Sequence, residues 1–237
     1  MKYLVATLLG FWLLSGTDVH ARNLPDTTNT SEEKFIALTF DDGPDAGATP
    51  ALLDVLKRYG AKATFFVMGS RIEANAPLLK RMVDDGHAIG NHTLSHAKLS
   101  RLSRDAMRSE ITGASRSIQR ASGVAPDVLR PPYAATNADV ENIARANGLA
   151  ILMWSIYPND SSYFGSASVI AERIVASAKD GDIVFLHDTS MRSVEATERV
   201  LRDLSVKGFR FVTASQLIKR HGRLEPGATY ATANGID

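Results

Sequence analysis

The sequence predicts an α/β protein: a single distorted (β/α)7 barrel with parallel strands. Three observations predict it. Seven short apolar runs, rich in β-branched and aromatic residues, recur along the 237 residues. Each is followed by a segment of helical periodicity, several of which stop at a glycine. Strands separated by helices must pair in parallel, and right-handed winding of such units closes a barrel or builds an open sheet. Seven strands favour the incomplete barrel over a doubly wound sheet. The glycine fingerprints of dinucleotide and P-loop sites are absent.

Taken in order, residues 34–40 form the first expected strand, and 49–59 a helix that Gly60 ends. Residues 63–68 form the second strand. The helix expected over 75–85 has Pro77 near its start and Gly86 behind it. A brief third strand spans 87–90, and a long amphipathic helix over 103–121 runs up to Gly123. Residues 127–130, 149–156, 182–186 and 209–212 supply four more strands, with helices expected at 137–147, 168–179, 194–207 and 216–220.

The ends of the chain read differently. Residues 1–21 resemble a cleaved signal: Lys2, an apolar run over 3–14 and small residues before Arg22. That run is shorter than the roughly 20 residues a membrane-spanning helix needs, so a secreted or periplasmic protein with no stable membrane span after cleavage is expected. Residues 22–33 read as a flexible lead-in, 34–221 as the folded domain and 222–237 as a tail.

Composition narrows the chemistry. Apolar residues make up 44% and charged residues 22%, the balance of a folded soluble domain. Lys+Arg 27 against Asp+Glu 26 gives no global field for nucleic acid. With no cysteine, disulfides, thiolate metal sites and a cysteine nucleophile are excluded. What remains is histidine, carboxylate, hydroxyl and lysine chemistry, or a metal held by nitrogen and oxygen.

Functional groups of such folds sit where strands end. Asp41 and Asp42 follow the first strand, His92 and His96 the third, Arg130 and Tyr133 the fourth, Asp160 the fifth, and His187 with Asp188 the sixth. Two adjacent carboxylates offer a metal ligand and a free base. Two histidines four residues apart can share an ion, and with one carboxylate they make three N/O ligands and an open position, the pattern of a catalytic zinc. Opposite such a site His187 becomes a candidate acid. Arg130, fixed by two prolines, would keep a neighbouring base ionised.

The runs TFDDGP (39–44), HTLSH (92–96), RPPY (130–133) and FLHD (185–188) resemble, in order and spacing, motifs of the polysaccharide deacetylases, the NodB-homology or carbohydrate esterase family 4 enzymes. The resemblance covers about residues 35–216. It implies a distorted (β/α)7 barrel and one divalent metal per chain, usually Zn2+, held by Asp42, His92 and His96. It further implies Asp41 as general base, His187 as general acid and the Tyr133 backbone N–H as oxyanion donor.

The substrate implied is an acetylated glycan containing GlcNAc or MurNAc, such as chitin oligomers or peptidoglycan, which would lose its N-acetyl groups as acetate. Departures from the motifs keep an O-acetyl esterase or a non-sugar amidase in view, and a non-catalytic glycan-binding module behind them. Tyr157 replaces an expected Asp, Ser161 an aromatic, Phe185 a Leu, Ala97 a Pro and Ala134 a Gly. Asp160 remains to orient either the Arg or the His. Trp154, Tyr157, Tyr163 and Phe164 lie near the rim, where they could stack on a sugar, Trp154 equally suiting the core, and Phe185 rebuilds the acyl pocket.

Overall fold

The computed structural model describes residues 33–161 and 165–233. The expected signal segment, nearly all of the lead-in, and Tyr163 and Phe164 lie outside them. All seven expected strands are present: β1 (Lys34–Asp41), β2 (Ala63–Val67), β3 (Ala88–Asn91), β4 (Val128–Leu129), β5 (Ala150–Leu152), β6 (Ile183–His187) and β7 (Phe209–Phe211). The helices are α1 (Thr49–Arg58), α2 (Gly69–Asp84), α3 (Arg104–Ser122), α4 (Ala138–Ala146), α5 (Ala167–Ser177), α6 (Met191–Val206) and α7 (Ala214–His221).

The strands form a curled, wholly parallel sheet in the order β6-β1-β2-β3-β4-β5. β7 runs beside Lys34–Ile36 at the start of β1. β1 and β2 are buried almost throughout, as parallel strands covered on both faces must be. Leu52, Leu53 and Leu56 of α1 and Val200, Leu201 and Leu204 of α6 pack with Leu38, Phe40, Val184 and Leu186 in one apolar cluster. Helix caps follow the sequence signals: Ser103 accepts from Ala106 N–H at the start of α3, and Gly123 ends it at φ 79°.

Three elements depart from expectation. The segment expected as a tail carries a strand, β8 (Thr229–Tyr230), parallel to β5, with Tyr230 buried. Thr232 bridges Asp182 and Ile156 bridges Val184, so these two contacts join the β5 side of the sheet to β6. Two residues are too few to show periodicity, and the burial of Tyr230 depends on partners distant in sequence. Second, β5 keeps only three of its eight expected residues, because the carbonyls of its last residue, Leu152, and of Met153 just beyond turn to a guanidinium.

Third, α2 begins at Gly69, ahead of the expected residue 75, and bends at Asn75. Gly69 and Ser70 are poor helix formers, but their N–H groups donate to the Thr93 and Leu94 carbonyls. A Cβ at Gly69 would stand 2.7 Å from Leu94 and 3.2 Å from the Ala114 backbone, so glycine lets α2, α3 and the loop after β3 meet.

Candidate active site and metal centre

Parallel register brings the polar strand ends to one edge of the sheet. Asp41 pairs with Phe66 on one side and with His187 on the other. His92 N–H continues the ladder to the Val67 carbonyl, and Arg130 N–H to that of Asn91. Asp41, Asp42, His92, Arg130 and His187 therefore reach one rim from four strand ends.

Asp42, His92 and His96 offer one ligand atom each, all within 4.8 Å of one another. Asp42 Oδ1 lies 3.3 Å from His92 Nε2 and 3.1 Å from His96 Nε2. That oxygen is buried and has no hydrogen bond of acceptable geometry, so it faces the two rings without being satisfied by them. The outer nitrogen of each ring is engaged. His92 Nδ1 lies 2.7 Å from the Arg130 carbonyl, which can only accept; Nδ1 thus carries a proton, and in the neutral ring Nε2 keeps its lone pair toward Asp42. His96 Nδ1 lies 3.1 Å from the Tyr133 hydroxyl. A carboxylate and two imidazoles so arranged fit a divalent metal. Burial pushes the Asp42 carboxyl up, but the His92 and His96 rings beside it outweigh that and hold it well below the usual carboxylate range.

Arg130 is fully buried beneath Asp41. It donates to Asp41 Oδ1 at 2.8 Å, Thr39 Oγ1 at 2.7 Å, and the Leu152 and Met153 carbonyls, and its guanidinium stands 4.2 Å over the Phe66 ring. Burial lowers the Arg130 pKa, and Asp41 opposes that. Asp41 Oδ2 is turned to the ligands, 3.6 Å from His92 Nε2.

Asp160 pairs with the histidine. Its Oδ1 lies 2.9 Å from His187 Nδ1, and its Oδ2 accepts from His187 N–H and Ser193 Oγ. Burial depresses the His187 pKa, but Asp160, with Asp41 and Asp42 behind it, outweighs burial and holds it above the ordinary histidine value. Next to His187, Phe185 stacks on Trp154 at 4.3 Å and on Tyr157 at 5.3 Å. Trp154, Tyr157 and Phe185 therefore form one aromatic wall. Tyr133 is 66% exposed, with its backbone at φ 60°.

The six non-glycine residues at positive φ among those described are Asp42, Thr93, His96, Tyr133, Ala134 and Asn159. All lie in the connections that leave the ends of β1, β3, β4 and β5. Left-handed backbone costs about 1–2 kcal/mol per residue, and such strain gathers where surrounding contacts enforce it. Two residues enforcing it escape a local reading of the sequence. Asn91, fully buried, accepts from Thr93 N–H and donates to the Ile111 carbonyl and Ser115 Oγ. Glu110 accepts from Ser95 N–H and Oγ. An Asn directly before the first histidine was the available signal; Glu110 left none.

Residues 28–152 match the family model described as Polysaccharide deacetylase. The chain is 36% identical over 194 residues to Peptidoglycan-N-acetylglucosamine deacetylase PgdA of Listeria monocytogenes, an alignment that takes in 82% of this chain and only 41% of that protein. It is 38% identical to a peptidoglycan-N-acetylglucosamine deacetylase of Bacillus cereus, covering 80% of this chain and 90% of the relative. Among solved structures, a family 4 acetyl xylan esterase from Clostridium thermocellum, in complex with a cobalt ion, superposes with a TM-score of 0.80 at 32% identity, covering 85% of this chain and 100% of that one.

Proposed function

The chain belongs to the polysaccharide deacetylase family, and we propose that it is a metal-dependent hydrolase removing N-acetyl groups from GlcNAc- or MurNAc-containing glycans. The observation that carries this is the convergence of Asp42, His92 and His96, with Asp41 3.6 Å from His92 and His187 3.9 Å from Asp42. A binding module would need none of these proton-transfer groups.

Asp42, His92 and His96 would hold one divalent ion, proposed as zinc because this donor set leaves a fourth position open. When bound, the ion supplies Lewis acidity, lowering the pKa of water toward about 7 and polarising a carbonyl oxygen.

Asp41, its Oδ1 held by Arg130, accepts on Oδ2 the proton of the water that attacks the acetyl carbon. The Tyr133 N–H donates to the carbonyl oxygen as negative charge grows there. His187, held by Asp160 through Nδ1, presents Nε2 to the departing nitrogen and protonates it as the C–N bond breaks. Acetate and a free amine leave. Trp154, Phe185 and Tyr157 wall the side on which His187 stands and would receive the acetyl methyl and the sugar face.

Residues 1–21 support export to the cell exterior or periplasm, where such glycans lie; among the described residues no helix is long and apolar enough to cross a membrane.

The test compares acetate release from N-acetylated chitin oligomers, peptidoglycan and O-acetylated xylan. Release from either N-acetylated substrate at a higher kcat/KM than from xylan is expected. Faster release from xylan would transfer the same residues to ester hydrolysis, the reading that the aromatic wall around Phe185 keeps open.

A further inference from the structure

Asp188, one residue beyond His187, is buried to 1% exposure and has no part in the proton transfers above. Its carboxyl lies against the turn that carries Asp42. A Cβ placed on Gly43 would stand 2.2 Å from each Asp188 carboxylate oxygen and 2.5 Å from Cγ, and these are the three atoms nearest to it. Gly43 is not at positive φ, so it is space, not backbone conformation, that demands glycine there.

Asp188 is also fastened from behind. Its Oδ2 accepts from Thr49 Oγ1 at 2.6 Å, and that hydroxyl in turn accepts from Asp45 N–H at 2.8 Å. Asp188 N–H donates to the Asp41 carbonyl at 3.4 Å. Its Oδ1 is buried without a hydrogen-bond partner. An apolar side chain would fill this space without the cost of a buried polar atom. The carboxyl instead ties the end of β6 to the first residue of α1 while packed against the turn at Gly43.

We propose that Asp188 is a positioning residue: seated in the space left by Gly43 and anchored to Thr49, it fixes the turn that presents Asp42 to the metal centre with Asp41 beside it. This rests on Asp42, His92 and His96 being the ligands.

The test is a double-mutant cycle of Gly43→Ala and Asp188→Ala in the full chain, with Asp188→Asn alongside. Zinc affinity is read by competition with a chelator, and folding by thermal melting. Asp188→Ala should weaken zinc about 10–100-fold, the range typical of residues supporting metal ligands. Gly43→Ala should weaken it comparably, yet add little on top of Asp188→Ala, which removes the atoms its methyl would strike. Failure of Gly43→Ala to fold alone, with folding restored by Asp188→Ala, would report the same coupling. Asp188→Asn keeps the shape and the Thr49 contact and should bind zinc within a few-fold of wild type. Additive losses, wild-type affinity in Asp188→Ala, or Asp188→Asn as weak as Asp188→Ala would overturn the role. A wild-type chain without zinc affinity would overturn the ligand reading itself.

Discussion

Asp41→Asn is expected to lower kcat on an N-acetylated glycan by about 10²–10⁴-fold, the usual worth of a proton-transfer group, while zinc affinity stays near wild type. The asparagine keeps the shape but cannot take a proton on the atom that faces the ligands. Its neighbour is fully buried, so the change is felt in stability as well: Arg130 loses its only carboxylate partner among the described residues. Breaking a buried ion pair costs about 3–5 kcal/mol. The low end applies, because the amide oxygen, Thr39 and two carbonyls still accept from the guanidinium. Kinetics on folded variant with its zinc titrated would separate the two effects. A near-normal rate would mean that another group is the base.

His187→Ala is expected to cost about 10²–10⁴-fold in kcat on amides and far less on activated esters, whose leaving groups depart without a proton. Equal losses on both would argue against the acid role. The pH profile carries the same test. Burial acts to lower the His187 pKa, but Asp160 and the carboxylates beyond it raise it above the ordinary value. The acid must be protonated, so activity falls as pH rises through this raised pKa. Asp160→Asn removes the main raising influence, and the alkaline limb should move to lower pH. An unmoved limb would assign it to another group.

Most of the rim was legible because parallel strands buried on both faces read as apolar runs, and the first polar residue after each run lies at the sheet edge by geometry. Asp41 and His187 follow this rule directly, and His92 stands one residue further on, after Asn91. The partner of Asp160 was not legible: choosing between Arg130 and His187 requires knowing that the loop after β5 passes under the end of β6. Arg130 instead reaches Asp41 and the carbonyls after β5. The supports were hidden for the same reason. Thr49 and Asp188 are 139 positions apart, and Asn91 meets Ser115 across 24. Local periodicity carries no trace of such contacts. The early start of α2 goes against propensity and is decided by the loop carbonyls that receive its first N–H groups.

The most direct test of the central claim is acetate release from chitin oligomers by the chain stripped of metal and then titrated with zinc. Activity should be lost on stripping and return in proportion to zinc, saturating at one ion per chain, with His92→Ala and His96→Ala neither binding zinc nor recovering. Undiminished release from the stripped chain, or full recovery in either histidine variant, would contradict the account.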